Sequence, residues 1–372
     1  MLIGVPKEIK NHEYRVGMTP AAVREAVKHG HKVMVQKEAG SAIGLTNEDY
    51  QKVGATIIDT AQEIFAKADM IVKVKEPQPV ECQMLREGQL LFTYLHLAPD
   101  PQQAEGLMKS GATAIAYETV TDERGRLPLL APMSEVAGRM SIQAGAHYLE
   151  KSHGGRGVLL SGVPGVNAGN VVILGGGVVG TNAAKVAIGM GAHVTVIEKS
   201  NERMKELDMF FGASISTVYA TDLAIENYVL DADLVIGAVL VAGAAAPRLV
   251  SREMIGRMKK GSVLVDVSID QGGCFETSKA TTHADPVYTI DGVIHYCVAN
   301  MPGAVARTST FALNNATLPY VLMLADKGYK EALLGNPGFR KGLNVMKGTL
   351  THREVAEALK KNFKTAEEAL AA

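Results

Sequence analysis

Val171-Val172-Ile173-Leu174-Gly175-Gly176-Gly177-Val178-Val179-Gly180 is an apolar run that passes without a break into a glycine-rich turn. A second apolar run, His193-Val194-Thr195-Val196-Ile197, follows at the distance of one helix and closes on Glu198. This is the pattern of a strand, turn, helix and second strand built around a dinucleotide. Gly175 permits the tight turn, Gly177 lets the backbone approach a pyrophosphate, and Gly180 allows close helix packing. The N–H groups at the helix N-terminus then face the phosphates. Glu198 is placed to accept from a ribose 2′-hydroxyl, and its charge repels a 2′-phosphate, so NAD is favoured over NADP. A glycine-rich turn alone could simply be packing, but here the flanking strands and the acidic end are all present. Lys199, beside Glu198, does not cancel that repulsion.

The 372-residue chain is longer than one average domain, and 47% hydrophobic residues with a net charge of −1 describe a globular protein with an ample core. Two domains are expected. The near-zero charge and the lack of a basic block argue against nucleic acid as a partner. The opening run Met1-Leu2-Ile3-Gly4-Val5 is too short for a signal peptide, and no stretch reads as a membrane span, so a cytoplasmic location is expected. Cys82, Cys274 and Cys297 are far apart and lack C-x-x-C spacing, which points to neither a disulfide framework nor a metal site.

Strand-like and helix-like segments alternate from the start, giving an α/β class with parallel sheets covered on both faces. Helices are expected after Thr19-Pro20, ending at Gly30; from the capping box Thr60-Ala61-Gln62-Glu63; and from Asp100-Pro101 to Gly111. Between them lie strand-like runs at 31–36, 69–74, 88–97 and 112–117. Residues 134–150 read as one long helix leading through a glycine-rich connector, 151–157, into the nucleotide unit, which continues through the runs 233–241 and 261–267. A helix-rich tail with a helical pattern at 351–361 follows Pro302-Gly303. It is expected to fold back on the first domain, giving a substrate domain of residues 1–130 plus 306–372 and an NAD-binding domain of residues 135–305. Both are expected to be doubly wound parallel-sheet domains flanking a cleft.

Ligands of open α/β sheets sit beyond the carboxyl ends of the strands, so polar residues that end apolar runs are site candidates. Lys75 follows Met70-Ile71-Val72-Lys73-Val74, His96 follows Leu90-Leu91-Phe92-Thr93-Tyr94-Leu95, and Asp270 follows Ser262 through Ile269. Arg15 lies in the loop after the first strand. Two cations, an imidazole and a carboxylate suit a small 2-oxo or 2-amino acid. A guanidinium holds a carboxylate, an ammonium polarises a carbonyl, and His and Asp move protons. Each could instead be an ordinary surface charge, turn residue or buried histidine.

The segments Ile3-Gly4-Val5-Pro6-Lys7-Glu8, Val74-Lys75-Glu76-Pro77, Leu91-Phe92-Thr93-Tyr94-Leu95-His96-Leu97, Pro132 to Met140, Asp270-Gln271-Gly272-Gly273 and Val298 to Ala304 resemble those of the bacterial alanine dehydrogenase family over nearly the whole chain. The resemblance implies reversible oxidative deamination of L-alanine with NAD to pyruvate and ammonium. Arg15 and Lys75 would bind substrate, and His96 and Asp270 would form the acid/base pair. It further implies cofactor contacts at Ser134, Gly175, Gly177, Val178, Val179, Gly180, Glu198, Arg203, Val239, Leu240, Val267, Ser268, Ile269, Asp270, Val298, Ala299, Asn300 and Met301, and a homohexamer. Three departures stand out. Glu198 replaces a common Asp, Ala220 replaces a serine that can touch the cofactor, and Ala242 to Pro247 lacks a lysine and a proline common in the family. Alternative readings are the NAD-binding domain of a proton-translocating transhydrogenase, a saccharopine dehydrogenase, and a nucleotide-sensing protein without turnover.

Overall fold

Two mostly parallel sheets carry the fold. The computed structural model describes residues 1–239 and 246–371, and the backbone divides into two units, residues 1–133 with 305–372 and residues 134–304. In chain order the first unit contributes β1 (Leu2–Val5), β2 (Lys32–Gln36), β3 (Thr56–Ile58), β4 (Met70–Val72), β5 (Leu90–Thr93) and β6 (Thr113–Ala116). The second contributes β7 (Asn170–Leu174), β8 (His193–Glu198), β9 (Ser216–Tyr219), β10 (Leu234–Gly237), β11 (Val263–Asp266), β12 (Val287–Ile290) and β13 (Val293–Tyr296). The chain then returns to the first unit with β14 (Leu343–Met346) and β15 (Thr349–Leu350).

The first sheet has the order β15-β14-β6-β5-β4-β1-β2-β3. β1 to β6 are mutually parallel, whereas β14 runs antiparallel to β6 and β15 antiparallel to β14. Every residue of β4, β5 and β6 is buried, as parallel strands covered on both faces require. The core of this unit joins Ile64, Phe65, Leu91 and Leu107 to Val345 and Leu350 of the returning segment. The helix Ala306–Lys327 is tied to the loop after β1 by Asn314. Its Oδ1 accepts from the Thr19 amide at 3.0 Å and the Thr19 hydroxyl at 2.7 Å, and its Nδ2 donates to Gly17 O at 3.1 Å.

The second sheet has the order β12-β13-β11-β10-β7-β8-β9, parallel except for the antiparallel pair β12–β13. The chain winds outward from β7 through β8 to β9, then crosses to β10 and winds the other way. The connections therefore part between β7 and β10, which opens a crevice at the carboxyl ends of the strands. The helix Val178–Gly189 begins directly after the glycine turn. Gly180 packs its backbone so closely that an added Cβ would lie 1.9 Å from Gly175 O. At Gly138 of the long helix Ala131–Tyr148 an added Cβ would lie 2.2 Å from Val179 O, so two helices meet backbone to backbone over the same turn.

Helix ends follow the side-chain signals. Thr19 caps Pro20–Lys28 by accepting from the Ala22 amide, Asp100 caps Pro101–Ser110 by accepting from the Gln103 amide, and Gly111 ends the latter at φ +69°. The reciprocal capping box expected at Thr60 and Glu63 is formed instead at Thr46 and Asp49. Thr60 does accept from the Glu63 amide, but the Glu63 carboxylate pairs with Lys67 one turn on. The long helix starts at Ala131 rather than 134, with Pro132 tolerated in its first turn, and the last helical pattern narrows to Arg353–Leu359. Strands are shorter than the apolar runs that announced them. β5 stops at Thr93 because the amides of Leu95 and His96 turn to the Glu118 carboxylate, and β11 stops at Asp266, whose carboxylate accepts from the Ser268 amide and starts the short 3-10 helix Val267–Gln271. The strands β3, β9, β12, β13, β14 and β15 were not among the expected runs and come to light only through pairing.

Gly180→Val would force the first turn of its helix off the strand. We expect a loss of about 3 kcal/mol of stability, measured by urea unfolding, with Gly189→Ala, whose Cβ meets nothing within 4 Å, as the tolerated control.

Candidate active site

In the first unit, β6, β5, β4 and β1 are consecutive neighbours and parallel, so the residues that follow them emerge on one edge. Glu118 follows β6, His96 follows β5, Lys75 follows β4, and Arg15 lies in the loop after β1. Three of these were sequence candidates. Glu118 was missed, although it stands immediately after the apolar run 112–117 and the strand-end rule would have found it.

His96 is held in the left-handed region at φ +49°, which is costly for a residue with a side chain. Its amide donates to Glu118 Oε1 at 2.6 Å and the Leu95 amide to both carboxylate oxygens at 3.2 Å, so the carboxylate fixes the turn. The imidazole stacks on Tyr94 at 5.7 Å between centroids, with Nδ1 3.9 Å from Glu118 Oε1, and remains 43% exposed. Tyr94 is itself anchored by donating to Leu129 O at 2.5 Å.

Lys75 is set by a buried ion cluster. Lys73, fully buried in the loop after β4, donates to Glu8 Oε2 at 2.9 Å and Glu81 Oε1 at 2.7 Å. Glu8 Oε1 in turn accepts from the amides of Val74 at 2.7 Å and Lys75 at 3.3 Å. Burial works against the Lys73 ammonium, but the two carboxylates outweigh it and hold its pKa above the usual lysine value. Burial, aided by Glu81, raises the Glu8 carboxyl even against Lys73. A lysine inside an apolar run is the sequence signal for such a partnered charge. Lys75 Nζ lies 3.5 Å from Glu76 and is mostly enclosed.

Arg15 is 2% exposed, and burial would lower its pKa, yet Glu13 holds it above the usual arginine value. Its Nε donates to Glu13 Oε1 at 2.7 Å and Nη2 to Oε2 at 2.6 Å, while Nη1 meets Met133 Sδ at 3.1 Å. The bidentate partner of this guanidinium is thus a residue of its own loop.

In the second unit the cofactor candidates gather at the carboxyl ends of β7, β8, β10, β11 and β13. Gly175 has φ +100°, the turn conformation for which a glycine was expected. Gly177, the N-cap of its helix, has no side-chain cap, and an added Cβ there would meet nothing within 4 Å; the first-turn residues Val178 and Val179 follow it. Backbone N–H groups at an open helix N-terminus fit a pyrophosphate. Glu198 ends β8, and its carboxylate accepts from the amides of Gly176 at 2.7 Å, Lys199 at 2.7 Å and Ser200 at 3.0 Å. It therefore ties the glycine turn to the second strand; a carboxylate has about four acceptor positions, which leaves one for a ribose hydroxyl. Arg203 braces the same turn, with Nε donating to Gly176 O and Nη2 to Thr181 Oγ1, each at 2.7 Å.

Val239 lies just beyond β10, and Leu240 and Ala242 to Ala245 lie outside the described residues. Ser268 Oγ donates to Val239 O at 2.7 Å, joining the ends of β10 and β11. Asp270 is exposed on the 3-10 helix Val267–Gln271, four residues past the end of β11 rather than at the tip of a strand. The buried Asp266, missed in the sequence, shapes that segment by accepting from the amides of Ser268 at 3.0 Å and Cys274 at 2.9 Å and from the Ser278 hydroxyl. Burial raises its carboxyl above the usual range. Val298 and Ala299 follow β13, Asn300 has φ +65°, and Met301 is buried at the head of another 3-10 turn. Ser134 is half-buried in the first turns of the long helix. Ala220 has no side-chain donor, but its amide donates to Glu198 O at 3.0 Å.

Two family models cover most of the chain: "Alanine dehydrogenase/PNT, N-terminal domain" over residues 4–137 and "Alanine dehydrogenase/PNT, C-terminal domain" over residues 141–353. An alanine dehydrogenase of Halomonas elongata is 59% identical over 96% of this chain and 96% of its own. An alanine dehydrogenase of Methanococcus maripaludis is 56% identical over 100% of both chains. A solved L-alanine dehydrogenase superposes with a TM-score of 0.94 at 51% identity, covering 97% of this chain and 99% of the other. A transhydrogenase from Sinorhizobium meliloti shares the fold with a TM-score of 0.81 at 22% identity, covering 95% of this chain and 99% of its own.

Lys73→Met leaves Glu8 and Glu81 buried without their cation, and we expect it to cost about 3–5 kcal/mol in urea unfolding. The triple variant with Glu8→Gln and Glu81→Gln should recover most of that loss.

Proposed function

The chain belongs to the alanine dehydrogenase/PNT family, and from that premise we propose that it carries out reversible NAD-dependent oxidative deamination. L-alanine, NAD and water give pyruvate, ammonium, NADH and a proton. The observation that carries this reading is the placing of Arg15, Lys75 and His96 beyond three neighbouring parallel strands, in a chain 59% identical to an alanine dehydrogenase.

The family binds a nicotinamide nucleotide, which supplies the hydride acceptor when bound. The open backbone at Gly177 supports a pyrophosphate subsite, and Glu198 supports NAD over NADP because a second anion at the ribose would face its carboxylate. Lys199 and Arg203 stand nearby, but their charges do not displace the carboxylate from the turn. The other nucleotide contacts proposed for this chain are the segments after β10, β11 and β13 named above, with Ser134.

In the substrate half, the Arg15 charge binds the alanine carboxylate while Glu13 keeps the guanidinium in place. Once the alanine ammonium has given up a proton, loss of hydride from the α-carbon of the neutral amine leaves an iminium. Water adds to that carbon as His96 or Asp270 takes its proton, and Lys75 stabilises the oxygen as charge develops. Protonation of the nitrogen by the same pair lets the carbinolamine collapse to pyruvate and ammonia. Glu118 is a positioning residue, since it grips the backbone of His96 rather than the reacting atoms. We assign residues 1–133 with 305–372 to substrate and 134–304 to the nucleotide, and propose a cytoplasmic homohexamer. No helix among the described residues is long and apolar enough to cross a membrane.

Absorbance of NADH with pyruvate and ammonium tests the reading. Oxidation that needs ammonium and prefers NADH to NADPH supports it; oxidation without ammonium would instead point to a 2-oxo-acid reductase, and no oxidation would favour the transhydrogenase-like or nucleotide-sensing readings. In the same assay His96→Ala and Asp270→Asn should each lower turnover at least about a hundredfold with folding intact. Glu198→Ala should narrow the preference for NADH, read as the ratio of kcat/KM for the two nucleotides.

A further inference from the structure

Outside the residues proposed for catalysis, one group of side chains in the second unit has the composition and spacing of a transition-metal site. His147 lies in the last turn of the long helix Ala131–Tyr148, Glu150 stands immediately before the 3-10 turn Lys151–His153, and His153 ends that turn. Their ligand atoms all lie within 4.8 Å of one another, and this is the one such three-residue group among the described residues. His147 Nδ1 is 3.5 Å from Glu150 Oε1 and His153 Nδ1 is 3.4 Å from Glu150 Oε2. Both separations are long for hydrogen bonds between these atoms. Each is made to a different oxygen of the Glu150 carboxylate and comes close to the spacing of neighbouring N and O ligands around tetrahedral zinc, about 3.3 Å for bonds of about 2.05 Å. The two imidazole rings lie with centroids 3.9 Å apart, tilted by 46° to one another.

The backbone holds this arrangement ready. The amides of His153 and Gly155 donate to Glu150 O at 3.1 and 3.0 Å, and the Gly157 amide donates to Leu149 O at 2.8 Å. Gly154 is left-handed at φ +86°, and an added Cβ on Gly155 would lie 2.3 Å from the Leu149 carbonyl, so the turn permits little rearrangement. Tyr148 packs edge-on against both rings, and the Ser152 hydroxyl lies 3.2 Å from His153 Nδ1. The side chains are 49%, 57% and 35% exposed for His147, Glu150 and His153, so an ion can enter and water can complete the shell.

We propose that His147, Glu150 and His153 bind a divalent borderline metal ion of the zinc or nickel class, with two imidazoles, one carboxylate and an open position for water. Such a ligand set suits zinc, nickel or copper, whereas magnesium and calcium prefer all-oxygen shells. The ion joins the end of the long helix to the turn after it, so its binding stabilises the folded chain by mass action.

Titration calorimetry of the full chain with zinc chloride or nickel chloride, in a buffer that does not chelate, tests this. We expect one saturable site per chain with micromolar affinity. His147→Ala and His153→Ala should each weaken it at least about tenfold while ammonium-dependent NADH oxidation is retained. Cobalt(II) in place of zinc should give visible absorption bands of low-coordinate geometry that both variants lose. Magnesium should show no heat at the same concentrations. Absence of saturable zinc or nickel binding below millimolar concentration, or binding that both variants keep unchanged, would overturn the proposal. It would then leave these residues as a solvated pair of histidine–glutamate contacts.

Discussion

Lys73, an ammonium with no exposure to solvent, lies between the carboxylates of Glu8 and Glu81, and the loops at the strand edge of the first unit are arranged around that contact. Either carboxylate alone would be costly to bury as an ion, and the lysine alone equally so. Together they fix the loop after β4 to the segment after β1, because the second oxygen of Glu8 takes the amides of Val74 and Lys75. Tyr117 closes the cluster from the other side by donating to Lys73 O at 3.0 Å. A structural ion cluster thereby sets the backbone of Lys75, the lysine proposed for substrate, two residues away.

The same division of labour recurs along the strand edge. Glu13 braces Arg15, Glu118 braces the turn that bears His96, and Asp266 braces the turn that bears Asp270. In each case a carboxylate with little or no exposure takes up amides or a guanidinium that would otherwise be buried without partners. The residue proposed for chemistry sits next to it. Polar atoms at strand ends cannot continue the sheet ladder, so side chains must satisfy them, and the satisfied turn becomes rigid enough to hold a reacting group.

The nucleotide unit relies on close backbone contact rather than charge. Gly180 and Gly138 bring helix backbones within reach of Gly175 O and Val179 O, leaving the front of Gly177 open. Glu198 and Arg203 hold Gly176 from two sides through its N–H and its carbonyl. This fixes the turn before any ligand arrives.

The sequence alone carried the nucleotide unit, because glycine spacing, two apolar runs and an acidic end are local features whose physical causes act within a few residues. It also carried the α/β class and the placing of Lys75, His96 and Asp270 in the segments that follow β4, β5 and β11, though not at the strand tips, since apolar runs and their polar ends can be seen without knowing the partners. The long-range choices were not legible. β14 joins β6 from more than two hundred residues away, and Glu8, Lys73 and Glu81 find each other only when the loops after β1 and β4 meet the helix Pro79–Met84. His96 also loses its place at a strand tip because Glu118, from the turn after β6, captures its amide. Such pairings are decided by tertiary structure, since the cost of burying a charge or an amide depends on which partner the fold brings within hydrogen-bond distance, and no local pattern encodes that.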